Sequence, residues 1–97
     1  MKTTQYTFFH DPGHGWLRVP HKMILALGIA AEISGYSYVD KDYVYLEEDC
    51  DYSRFCDAWE KYTGLKWSHA EQCRDVYQEN TPIRDLPSFR SEVFCPN

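Results

Sequence analysis

Ninety-seven residues, 43% apolar and 26% charged, suffice for one domain with a modest core and exclude a disordered, collagenous or coiled-coil chain. The net charge is −5, and all of it lies between Asp40 and Lys61, where eight acids meet three bases. A nucleic-acid binder carries a basic stripe; this chain does not, so direct nucleic-acid binding is not expected and a basic or protein partner is.

Thr4 to His10 is rich in β-branched and aromatic residues and predicts a strand. Asp11-Pro12-Gly13-His14-Gly15 predicts a turn, through the fixed φ of proline and the positive φ open to glycine. Trp16 to Val19 is the returning strand. Pro20 suits a helix start, Met23, Ile24 and Leu27 follow at helical spacing, and Gly28 suits the residue after the helix. Tyr36–Val39 and Tyr43–Leu46 predict a second hairpin around Asp40-Lys41-Asp42. Asp49 is the expected N-cap of the longest helix. Tyr52, Phe55, Trp59 and Tyr62 give that helix one apolar stripe, and Gly64 ends it. Leu65 to about Ala70 reads as a further strand, while Gln72–Tyr77 is ambiguous. Ile83, Leu86 and Phe89 are expected to pin an irregular tail, 80–97, to the body.

The expected fold is therefore α+β, a single domain over 1–97 in the order ββαββαβ. An antiparallel sheet of about five strands carries two helices on one face. Met23 to Ile33, the longest apolar segment, is broken by Gly28 and Glu32 and falls short of the roughly 20 residues that span a bilayer. No signal-peptide core follows Met1-Lys2-Thr3-Thr4-Gln5. A cytosolic protein without membrane contact is expected, with Cys50, Cys56, Cys73 and Cys95 as reduced thiols. Their separations lack the close pair of a zinc site.

Chemistry could sit in three places. The turn offers His10, Asp11 and His14 as a metal or acid–base set, for which His21, His69 or the Glu47–Asp51 carboxylates could supply further ligands in space, although no spacing says so. Pro12 and two glycines forbid the helix on which H-x3-H spacing serves zinc, and a structural turn explains the same residues. Cys50 is the best-placed nucleophile, but Glu47, Glu48, Asp49 and Asp51 oppose its thiolate. There is no nucleophile elbow or phosphate-cradling glycine loop, so neither an enzyme nor a cofactor is expected. Glu47, Glu48, Asp49 and Asp51 serve as a dipole-favoured helix start or as an acidic surface complementary to a basic partner. Tyr36, Tyr38, Tyr43, Tyr45 and Trp16 would line the sheet face that the helices leave open. Such a patch suits a macromolecular partner or a homodimer; a nucleic-acid-binding accessory protein that stacks bases on these rings is the alternative, and it needs Arg18, Lys22, Arg74, Arg84 and Arg90 to converge on one face.

The stretch Tyr6-Thr7-Phe8-Phe9-His10-Asp11-Pro12-Gly13-His14-Gly15-Trp16-Leu17 resembles the opening of small uncharacterised proteins encoded by tailed phages and prophages. Leu27-Gly28-Ile29, Ile33-Ser34-x-Tyr36-Ser37-Tyr38, Tyr45-Leu46-Glu47-Glu48-Asp49-Cys50-Asp51 and Asn80-Thr81-Pro82-Ile83-Arg84-x-Leu86-Pro87 extend the likeness over most of the chain. The resemblance implies a viral origin and action in the cytoplasm of an infected host cell, with no catalytic residues to carry over. Small acidic phage proteins often act by binding. Some inhibit a host defence, in the manner of anti-CRISPR or anti-restriction proteins, by placing acids where DNA phosphates would lie.

Overall fold

The computed structural model describes residues 6–94, with side chains through Glu92, so Cys95 and residues 1–5 lie outside it. Strands β1 (Tyr6–His10) and β2 (Gly15–Pro20) form the opening hairpin, followed by helix α1 (His21–Leu27). A 3₁₀ turn (Ala30–Glu32) leads to β3 (Tyr38–Val39) and β4 (Tyr43–Glu47). Helix α2 (Tyr52–Thr63), the one-turn α3 (His69–Gln72) and β5 (Cys73–Tyr77) come next. A second 3₁₀ turn (Pro82–Asp85) and a helical turn, α4 (Ser91–Phe94), complete the described chain. The fold is α+β in the expected order, with one sheet arranged β3-β4-β2-β1-β5.

Two expectations about the sheet are corrected. It is mixed, because β5 runs parallel to β1 with Phe8 opposite Asp75. The fifth strand also starts later than expected. Leu65 is exposed, and the Trp67 N–H donates to Glu60 Oε2 at 2.7 Å. The Trp67 ring packs edge-on against Trp59 and Phe55. Anchoring that indole against α2 takes this segment out of strand alternation, and pairing with β1 begins only at Cys73.

The two helices cover one sheet face. Leu17, Val19, Val44 and Leu46 from the central strands pack with Ile24 of α1 and Phe55 and Trp59 of α2. Each fully buried side chain of this kind contributes about 1.5–3 kcal/mol. Tyr62 departs from its expected stripe. It lies in the last turn before Gly64 and is 64% exposed. Gly28 and Gly64 adopt left-handed conformations at φ 70° and 75° and end their helices as the sequence suggested. Neither turn glycine has positive φ. Gly15 is required instead by close approach, since a Cβ there would lie 2.6 Å from the Phe8 ring and 2.8 Å from Glu48 Oε1.

The second face is not the open aromatic surface expected. Trp16 is 1% exposed and Tyr45 7%, and both pack with Ile83 and Leu86 of the tail. Tyr38 and Tyr43 are partly covered, while Tyr36 remains 71% exposed. The tail runs beside β3: Val39 N–H donates to the Pro87 carbonyl at 3.0 Å and Phe89 N–H to the Ser37 carbonyl at 2.8 Å. Aromatic area too large to leave wet is thereby buried by the chain's own third layer. Arg84 fastens this layer to the first hairpin. Its Nε and Nη2 donate to the two Asp11 carboxylate oxygens at 2.6 and 3.1 Å, and its guanidinium lies 5.1 Å from the Trp16 ring centroid.

The start of α2 also differs. Asp51, not Asp49, occupies the N-cap position, and its side chain does not cap. The fully buried Asp51 carboxylate accepts bonds from the Ser34 N–H, the Ser34 hydroxyl at 2.8 Å and the Ser37 hydroxyl. Ser37 Oγ in turn accepts from the Glu47 N–H at 2.9 Å.

Two predictions follow from these contacts. Asp51→Ala leaves several buried donors unpaired and lowers unfolding free energy by about 3 kcal/mol or more in urea titration. The exposed Asp49→Ala changes it by less than about 0.5 kcal/mol. The Arg84 bond holds the Asp11 carboxyl below the usual carboxylate range. Its stabilisation is therefore complete above the unfolded value of about 3.9 and is lost as pH falls through the lower folded value. Thermal melts should show the gap between the protein and Asp11→Asn narrowing below about pH 4; a gap that widens there would contradict the assignment.

Candidate functional site

The turn set His10, Asp11 and His14 does not assemble as a metal site. Asp11 Oδ1 accepts the N–H groups of Gly13 and His14 at 2.9 and 2.8 Å, and Arg84 binds both of its oxygens. Asp11 therefore holds the turn and the tail. His10 packs edge-on against Tyr77, with ring centroids 5.4 Å apart.

His14 instead faces the end of β4. Its Nδ1 lies 3.5 Å from Glu47 Oε2. Glu47 is buried, and its Oε1 accepts the N–H groups of Asp49 and Cys50 at 2.9 and 2.8 Å. That turn brings Asp49 round, so that ligand atoms of His14, Glu47 and Asp49 all lie within 4.8 Å of one another. Beside them is a shallow pocket of about 100 Å³ lined by His14, Trp16, Tyr36, Tyr38, Glu47 and Arg84. The register explains the meeting: Trp16 pairs with Glu47 across β2 and β4, and His14 is two residues before Trp16.

The expected acidic surface shrinks. Asp51 is fully buried and Glu47 nearly so, each committed to hydrogen bonds within the fold. Asp40 accepts from the Tyr45 hydroxyl at 2.7 Å, and Glu60 holds Trp67. Of the four acids singled out in the sequence, Glu48 and Asp49 remain exposed. Three of the bases are engaged within the fold. Arg84 pairs with Asp11, Arg90 with Glu92, and Arg18 lies over the rings of Phe9 and Tyr43.

A second polar cluster was not legible in the sequence. Trp67 Nε1–H donates to the Tyr52 hydroxyl at 2.9 Å, which meets His69 Nδ1 at 2.7 Å. His69 Nε2 lies 2.8 Å from Asp75 Oδ1. An ionised carboxylate only accepts, so the neutral ring carries its proton on Nε2 and Nδ1 accepts from Tyr52. This series of contacts ties α2 to β5. Burial pushes the Cys56 thiol up to about 11 and the Cys73 thiol up to about 12. Burial and then the Glu47 carboxylate raise the Cys50 thiol as well. No local spacing signals His69 and Asp75, because they meet only across the junction of α3 and β5.

Protonated thiols are poor nucleophiles. Mass mapping after iodoacetamide treatment at neutral pH should show Cys50, Cys56 and Cys73 alkylated at least about tenfold more slowly than in the unfolded chain; equal rates would contradict the raised values.

No family model matches the chain, and neither a curated protein nor a solved structure matches it. No helix among the described residues is long and apolar enough to cross a membrane.

Proposed function

We propose that this chain acts by binding another protein, through the corner where the first hairpin meets the end of β4. The observation that carries this reading is the company Tyr36 keeps. It is 71% exposed and lines the same pocket as His14 and Glu47. The exposed Asp49 adjoins these two residues, and Glu48 reaches the backbone at Gly15. An exposed tyrosine at a corner that also carries the exposed carboxylates of Glu48 and Asp49 is the composition of an interface anchor with an acidic rim. Its complement is a basic surface, recognised by charge steering and held by the aromatic ring.

The resemblance to small phage proteins favours a host factor as that partner, and an inhibited host defence system as the consequence. The reading differs from the sequence expectation in scale. It invokes Tyr36, Glu48 and Asp49 at one corner, not five aromatic residues over an open face with four acids at a helix start. Direct nucleic-acid binding is the less favoured reading, since the net charge is −5 and Arg84 is committed to Asp11.

The test is affinity capture from host lysate with the folded protein, Tyr36→Ala and Glu48→Lys in parallel. A specific protein retained by the unaltered chain should be lost at least tenfold in Tyr36→Ala, as for an interface anchor. Glu48→Lys should slow its association and weaken the salt dependence. Capture of nothing specific, or equal capture by all three proteins, would overturn the proposal.

A further inference from the structure

We infer that His14, Glu47 and Asp49 form a binding site for one divalent transition-metal ion. The inference goes beyond the partner reading and does not need it. The three residues come from two separate stretches of chain, and the β2–β4 register brings them together. Two ligands on a tetrahedral ion with bonds of about 2.1 Å stand about 3.4 Å apart. His14 Nδ1 and Glu47 Oε2 already stand 3.5 Å apart. The exposed Asp49 needs only a small swing to close the third side.

Glu47 supplies rigidity. Its carboxylate is buried, and Oε1 is fixed by two backbone N–H groups, which leaves Oε2 towards His14. A buried carboxylate aligned in this way is costly without a positive partner. His14, with its side chain 47% exposed, gives access from solvent.

The wall of the pocket beside these ligands also holds a buried donor. Trp16 is 1% exposed and forms part of the wall of the pocket shared with His14 and Glu47. Its Nε1–H is buried and meets no acceptor among the described residues. Buried donors of this kind are normally satisfied. Three protein ligands leave a metal ion with at least one open position, filled by water or by an oxygen of a small anion. An oxygen held there would lie in the pocket of about 100 Å³ that Trp16 lines.

The donor set selects the ion. One imidazole disfavours calcium and magnesium, which take oxygen ligands. Two carboxylates disfavour copper(I) and other soft ions. Zinc and manganese(II) fit. The Cys50 thiol also reaches Glu47, so manganese(II), a poor partner for thiolate, is the discriminating probe.

The experiment titrates Mn²⁺ into ¹⁵N-labelled protein and follows the indole N–H signals of Trp16, Trp59 and Trp67, with Trp16 identified by Trp16→Phe. Paramagnetic broadening should strike Trp16 first, at a metal concentration at least tenfold below that needed for Trp59 and Trp67. His14→Ala and Asp49→Asn, both at exposed positions, should each raise the concentration required at least tenfold. Asp42→Asn, an exposed acid elsewhere, should not. Uniform broadening of all three indoles, or selective broadening that survives both ligand substitutions, would overturn the site. Either result leaves the partner proposal standing, since its own test substitutes Tyr36 and Glu48 and not the ligands His14 and Asp49.

Discussion

A single buried carboxylate organises one end of this molecule. Asp51 sits at the start of α2 with no exposed surface and collects the Ser34 N–H and the hydroxyls of Ser34 and Ser37. Ser37, equally buried, extends the hold. Its hydroxyl accepts the Glu47 N–H at the end of β4, and its carbonyl accepts the Phe89 N–H of the tail. Three stretches of the chain, 34–37, 47–51 and the tail at Phe89, therefore converge on Asp51 and Ser37. Buried charge is tolerated only when it is bonded in this way. The result fixes the direction in which Glu47 leaves the sheet, and with it the corner that presents His14, Tyr36, Glu48 and Asp49.

The tail completes the arrangement. Without it, Trp16, Tyr38 and Tyr45 would form a wet aromatic face. With it, Ile83 and Leu86 turn that face into a second small core, and Arg84 clamps the tail to Asp11 at the hairpin tip. The layer both stabilises the fold and narrows the accessible surface, leaving Tyr36 as the exposed member of the tyrosine set.

Local features were legible in the sequence, and for local reasons. The first hairpin follows from alternation around a proline–glycine turn, and both helix ends follow from Gly28 and Gly64. What sequence reading missed depends on contacts across many residues. The parallel pairing of β5 with β1 leaves no trace in the periodicity of either strand. Trp67 looked like a strand residue and is a core residue held by Glu60. Asp49 and Asp51 are indistinguishable as helix-starting acids, yet one is exposed and the other is the most buried acid described. The candidate metal set needed the β2–β4 register, which places residue 14 beside residue 47 and leaves His10 on another wall.

The central claim is that the corner and the tail form one cooperative unit closed by Asp51 and Ser37. Native-state hydrogen exchange on Ser37→Ala tests it most directly. The account predicts that the amides of Ser34, Glu47 and Phe89 lose protection together, by a common free energy, while those pairing β1 with β2 keep theirs. Loss confined to Glu47, whose N–H is the one bonded to the deleted hydroxyl, would contradict it.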